Sequence, residues 1–269
     1  MKYLLGVSRY EVRRLDFQER VWGWMTRSLL DRVGVRSPWH CLDVGAGIGC
    51  VTIPLARRIL PRGQVTALEP SPGYAAVLKE RARRADLSSK IKIEQVPVQK
   101  FLWNGPPFDF ILCRWVFLFI QDIESSLRRL VPHLRPGGYL AVEDYHNYSG
   151  MAFYPETLSR DKITQGARVW FRKNGGGLDV AGRLPAIFQR LSLKMVEFRP
   201  NTLVGNGKSD LFQWQWLFFD KHLDAMVSAG GISRRDAENY RREQKKLLGR
   251  SHAWFVSPII FDAIGRKST

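Results

Sequence analysis

The residues best suited to chemistry stand in one short run, Leu42-Asp43-Val44-Gly45-Ala46-Gly47-Ile48-Gly49. Three glycines alternate directly after an apolar stretch. Glycine lets the backbone turn sharply and lets a ligand approach without obstruction by a Cβ. Twenty residues beyond Gly49, at the end of the next apolar stretch, stands Glu69. A carboxylate there can accept both hydroxyls of a ribose. Two nucleoside cofactors fit this logic. A dinucleotide site wants G-x-G-x-x-G, with the pyrophosphate on a helix N-terminus. Here Cys50 falls where the third glycine of that fingerprint belongs. Acidic Asp43, just before the loop, suits a cationic ligand better than a pyrophosphate.

Such a site needs a scaffold that brings strand ends together. Apolar runs at 39–44, 64–68, 91–96, 108–113 and 139–143 read as strands, with later ones at 193–198 and 254–264. Helical spacing marks 8–34, 51–60, 122–134, 180–191 and 211–228, and a helix within 153–173. Ser71 then Pro72 opens another helix, as N-cap and first helical residue. Ser233, Asp236 and Gly249 frame a last one, at 233–248, with a capping box and a glycine stop. Alternating strands and helices imply a doubly wound, Rossmann-like α/β fold. The expected sheet has seven mostly parallel strands with helices on both faces. The organisation read from this is a helical cover at 1–38, a cofactor-binding core at 39–200, a helical insertion at 201–252, and a returning strand at 253–269.

Composition narrows the class. The chain has 269 residues, 45% hydrophobic and 25% charged, which fits a globular protein of one or two domains. The run Trp115 to Ile120 is far below the about 20 apolar residues of a membrane span. The patch Tyr3 to Val7 is too short for a secretory signal, so a cytoplasmic protein is expected. Cys41, Cys50 and Cys113 have no metal-ligand spacing, and no metal is expected. The net charge of +17 is spread evenly, 22 basic against 14 acidic residues in 1–150 and 20 against 11 in 151–269. With no basic tail, charge alone does not select a polyanion partner.

The motifs in order resemble the class I S-adenosylmethionine-dependent methyltransferases. LDVGAGIG is similar to their first motif and VTALEPSP to their second. FDFILCRWVFLFIQD resembles the fourth-strand segment, and LRRLVPHLRPGGYLAVED the helix and strand after it. The resemblance covers residues 10–146 and is closest to the small-molecule enzymes of quinone and natural-product type. It implies S-adenosyl-L-methionine as cofactor and S-adenosyl-L-homocysteine as product. It places Asp43, Gly45, Ala46, Gly47 and Gly49 around the methionine part. Glu69 would bind the ribose, with Pro70 and Ser71 beside the adenine, and the Cys113 carbonyl would face the amino group. Where the family often has an acidic residue for adenine, this chain has Gln95-Val96-Pro97-Val98-Gln99. Adenine recognition then falls to Gln99, to backbone at Val98, or to apolar packing alone.

Methyl transfer needs alignment above all, and a base only if the acceptor must lose a proton. His146 is the candidate base, because histidine titrates near neutrality; the alternative is a strand-end cap. Asp144 is a candidate for holding a cationic amine, or a loop hydrogen bonder. Arg114 and Trp115 follow the fourth strand and should face the pocket, with Arg114 either holding an acidic substrate group or salt-bridged to a neighbouring carboxylate. The aromatic stretch 212–219 is either core or an acceptor wall, in which Trp214 and Trp216, with Tyr148 and Tyr154, shape the pocket. Trp214 or Trp216 should join the helix around Tyr10 to Phe17 as a lid. His222 and His252 read as packing or surface residues. The leading expectation is O- or N-methylation of a small molecule. An RNA methyltransferase using the basic surface and a non-catalytic cofactor-binding regulator are the alternatives. The sequence does not fix the oligomeric state.

Overall fold

The computed structural model describes residues 8–269. The Tyr3–Val7 patch and the first seven residues of the expected cover lie outside them. The first helix, α1 (Arg9–Val33), starts where the Ser8 hydroxyl accepts the Glu11 N–H and stops where Gly34 turns left-handed, at φ 74°. The elements that follow are β1 (His40–Val44), α2 (Thr52–Arg58), β2 (Gln64–Leu68), α3 (Pro72–Arg84), β3 (Ile91–Glu94), β4 (Phe108–Arg114), α4 (Ile123–Leu130) and β5 (Leu134–Asn147). The second half adds β6 (Ala152–Tyr154), α5 (Arg160–Lys173), α6 (Leu184–Arg190), β7 (Leu193–Asn201) and β8 (Val204–Asn206). It ends with α7 (Asp210–Ser228), α8 (Arg234–Leu247), β9 (Trp254–Val256) and β10 (Ile259–Lys267).

Seven strands form one sheet in the order β3-β2-β1-β4-β5-β10-β7. Strands β1 to β5 pair in parallel, and β10 runs antiparallel between β5 and β7. This is the expected doubly wound fold. Its strand order reverses at β1, with β2 on one side and β4 on the other, so a crevice opens beyond their carboxyl ends.

Two expectations are corrected. The last strand, read as 254–264, is two strands. Ser257 and Pro258 separate them, and β9 leaves the main sheet for a small antiparallel one, β6-β9-β8. These strands have three residues each, too few to show a period of two. The core expected at 39–200 also gives residues to the cover: α5 packs on α7 and α8 above the sheet edge.

Helix α1 is tied to the sheet by charge as well as by its apolar stripe of Val21, Trp22, Met25, Leu29 and Leu30. Arg32 bridges Glu197 on β7 and the fully buried Asp262 on β10. Thr26 donates to Glu143 on β5 at 2.6 Å. Removing the cation strands a buried carboxylate, which costs roughly 3–5 kcal/mol for a fully buried pair. Because Arg32 is 21% exposed, Arg32→Met is expected to lose about 2 kcal/mol in urea denaturation at neutral pH. Burial already raises the Asp262 carboxyl, and Arg32 counters it. Without Arg32 the acid's folded-state pKa rises further, so the deficit should shrink as pH falls and Asp262 protonates. A deficit independent of pH would show that Asp262 is not the group left unpaired.

Candidate active site

The chain after β1 makes three left-handed turns, with φ 72° at Gly45, 55° at Gly47 and 87° at Gly49. The three glycines are there for different reasons. A Cβ on Gly45 would sit 2.6 Å from Val116 Cγ2, and one on Gly49 would sit 2.5 Å from Leu78 Cδ1. Those two satisfy the protein's own packing. A Cβ on Gly47 would meet nothing nearer than 4.0 Å. Its open side faces a cavity of about 740 Å³ at the carboxyl ends of β1, β2, β4 and β5.

One half of this cavity is polar. Asp43, Gly45, Ala46, Gly47, Glu69, Pro70, Ser71, Val98 and Gln99, all singled out from the sequence, line it together with Lys100. Glu69 joins the loops after β1 and β2: one carboxylate oxygen accepts the Gly47 N–H at 2.8 Å and the other accepts the Ser71 N–H at 2.7 Å. Its burial raises the carboxyl's pKa, and these N–H groups pull it back. Asp43 is buried, accepts the Thr52 hydroxyl at 2.6 Å, and is pushed up to about 6 by desolvation.

The other half is aromatic. Trp115, Phe119, Tyr145, Tyr148, Phe171, Trp214 and Phe218 form its walls. Arg14, Leu15, Gln18 and Glu19 of α1 close it from above. Arg114 also lines the cavity, but its Nη1 donates to Glu19 at 2.6 Å and its guanidinium lies 4.5 Å from the Trp115 ring centre. Trp115 holds φ 51°, which is unusual for a bulky residue and marks a locally over-determined turn.

Several sequence expectations are corrected here. Gly49 does not reach the cavity, since Leu78 occupies its open side. Cys113 lies inside the sheet, between Val44 and Val142, and the wall begins one residue later at Arg114. Asp144 and His146 do not face the cavity. Alternate residues of a strand point to opposite sides, and on β5 it is Tyr145 that reaches the wall. The Asp144 carboxylate is fully buried and accepts the N–H groups of Phe117, Leu118 and Tyr145 at 3.1, 3.2 and 2.8 Å. The His146 ring packs edge-on against Phe261, with centroids 5.1 Å apart. Trp216 stacks on Tyr240 of α8, 6.2 Å away, and is absent from the wall. Two positions on a helix lie about 200° apart, so Trp214 and Trp216 cannot share a target. Tyr154 is 69% exposed on β6. His222 is buried against Trp170 and pushed down to about 3 by desolvation, and His252 is exposed.

Phe218 bears out the wall reading of the 212–219 stretch, whereas Glu19, Tyr145, Phe119 and Phe171 were not anticipated as wall residues. Arg14, Leu15, Gln18 and Glu19 share one helical face, a pattern present in the sequence. The contributions of α5 carry no such signal, because nothing local says that this helix folds over the sheet edge. Among the described residues there is no cluster of His, Cys, Asp and Glu able to hold a metal, and no helix long and apolar enough to cross a membrane.

Residues 42–142 match a family model described as "Methyltransferase domain". An uncharacterized protein of Synechococcus is 30% identical over 147 residues, covering 54% of this chain and 35% of that protein. A 2-phytyl-1,4-naphtoquinone methyltransferase of a Nostoc species is 26% identical over 136 residues, covering 51% of this chain and 58% of that one. The chain thus spans less than two thirds of these relatives. Among solved structures, the YcgJ protein of Bacillus subtilis superposes with a TM-score of 0.61 at 13% identity, covering 90% of this chain and 97% of that one. At that identity the likeness is one of fold.

The Asp144 geometry makes its own test. Deleting the carboxylate leaves three buried N–H donors without an acceptor, at about 1–3 kcal/mol for each group left unsatisfied. Burial of the carboxylate is itself costly and offsets part of this, so Asp144→Ala should lower stability by about 2–4 kcal/mol net in guanidinium titrations, with Asp144→Asn in between. A loss below about 0.5 kcal/mol, the ordinary range of surface substitutions, would show that the carboxylate does not hold the turn after β4.

Proposed function

We propose that the chain, whose residues 42–142 match a methyltransferase domain, binds S-adenosylmethionine in the polar half of the cavity and methylates a small molecule in the aromatic half. The observation that carries this reading is the pairing of an open-sided Gly47 with the Glu69 carboxylate beside it. The loop leaves room on the ligand side only, and each Glu69 oxygen keeps a free lone pair for a ribose hydroxyl.

The residues fit the cofactor part by part. Asp43, Gly45, Ala46 and Gly47 hold the methionine portion, and Glu69 holds the ribose. Pro70 and Ser71 flank the adenine, with Val98 and Gln99 across from them. The cofactor supplies a methyl group on a cationic sulfonium, already activated for displacement. The protein's part is then positioning and exclusion of water. The Asp43 and Glu69 carboxylates stand at the loops after β1 and β2, on the side of the sulfonium and the ribose, while Glu19 is paired with Arg114. Helix α1 and the Trp214 face of α7 cover the cavity: Gln18 accepts the Trp214 indole N–H at 3.3 Å.

Calorimetry with S-adenosylhomocysteine tests the reading. Binding in the micromolar range is expected, with no heat from NAD. Gly47→Ala places a methyl group on the cavity side, with no protein atom nearer than 4.0 Å, and also strains a left-handed turn by about 1 kcal/mol, so affinity should fall more than tenfold with the fold retained by circular dichroism. Glu69→Gln should weaken binding about tenfold, by roughly the worth of one or two charge-assisted hydrogen bonds. Tight NAD binding, or normal affinity in Gly47→Ala, would overturn the proposal. Cofactor binding without turnover of any small acceptor would favour a regulator, and turnover of RNA alone would move the acceptor outside the aromatic chamber.

A further inference from the structure

Tyr145 and Tyr148 are 7% and 4% exposed, and their rings meet edge to face 5.1 Å apart on the cavity wall. Among the described residues neither hydroxyl has a hydrogen-bond partner, yet neither is sealed from the cavity. A buried phenol usually finds a partner, so two unpaired ones facing one chamber point to a ligand. Burial raises both well above the ordinary tyrosine range, so both keep their protons and act as donors. The Arg14 guanidinium lies within electrostatic reach of both phenols. Around them the walls are flat and apolar: Trp115 stacks over Tyr145 at 6.1 Å and 24°, and Phe119, Phe171 and Phe218 complete the chamber.

Among the described residues the wall also offers no histidine and no carboxylate without a partner, and residues 1–7 contain no histidine. Each wall carboxylate is engaged: Glu19 with Arg114, Asp43 with Thr52, Glu69 with two backbone N–H groups. An aliphatic alcohol would find nothing there to take its proton. A phenol or enol ionises far more readily and can give its proton to bulk water as it binds, and two O–H donors then stabilise the oxygen anion.

We propose that the Tyr145 and Tyr148 hydroxyls form a donor pair for an oxygen on a flat conjugated ring, and that the acceptor is a phenol or enol. This rests on the methyltransferase reading for its biological sense, but the donor pair is testable without it. An aromatic molecule lacking the oxygen strips water from both hydroxyls and returns nothing, which is how such pairs discriminate.

Binding of 2-naphthol and of naphthalene is measured by quenching of tryptophan emission, with and without saturating S-adenosylhomocysteine. The wild-type protein should prefer 2-naphthol at least tenfold. In Y145F/Y148F the preference should fall to within about twofold, while S-adenosylhomocysteine affinity stays unchanged. Bound 4-nitrophenol, whose visible absorbance reports its ionisation, should titrate at lower pH in the wild type than in the variant. If the double variant loses S-adenosylhomocysteine binding or its circular dichroism, Y148F alone is used, with an expected preference between the two. A ratio and a nitrophenol titration unchanged by the substitutions overturn the donor pair and leave the cofactor reading standing. Absent S-adenosylhomocysteine binding in the wild type overturns that reading instead, and the naphthol ratio still decides the donor pair.

Discussion

The indole of Trp22 is the point on which the cavity depends. It is fully buried and meets Trp115 edge-on at 6.2 Å and Trp214 at 5.4 Å. Trp115 belongs to the turn after β4, Trp214 to α7, and Trp22 to α1. One side chain therefore sets the distance between the sheet edge and both helices that cover it. A rigid two-ring group does this better than a flexible aliphatic one, because it has few rotamers and large contact area. The aromatic half of the cavity is the space left when three indoles are fixed against one another.

The second constraint is electrostatic. Strands β1, β4, β5 and β10 bring Asp43, Arg114, Glu143, Asp144 and Asp262 into the interior near their ends. Burial pushes Asp43, Asp144 and Glu143 up to about 6, 7 and 8 respectively. Each is tolerated because something specific answers it: the Thr52 hydroxyl for Asp43, three backbone N–H groups for Asp144, and Thr26 with the nearby Arg114 for Glu143. Such groups are poor sources of net stability. They do fix geometry, because each is satisfied by a particular neighbour on α1, on α2 or in the turn after β4.

These two constraints divide the labour of the site. The polar half is built from backbone, with Glu69 clasping two loops through their N–H groups. The aromatic half is built from side chains that arrive from α1, β4, β5, α5 and α7. A loop site made of backbone tolerates changes in the neighbouring side chains. A chamber made of side chains from five elements is redrawn by single substitutions, so one fold can host many ligands.

The sequence by itself determined the doubly wound sheet and the polar half of the site. Glycines 45 and 47, Glu69, Ser71 and Gln99 lie within loops that directly follow strands, so local order in the chain places them together once the strands pair. It also determined the capping of α8, where Ser233 and Asp236 close a reciprocal box. What only the tertiary structure decided was facing. The swap from Asp144 and His146 to Tyr145 is a matter of which side of β5 looks toward the cavity, and one residue of register reverses it. The choice of Trp214 over Trp216 is the same question on a helix, settled by what α8 offers on the far side. The three-residue strands of the small sheet and the place of α5 follow from contacts far apart in the chain. Local periodicity is silent on such contacts, because it records that a face is apolar and not what covers it.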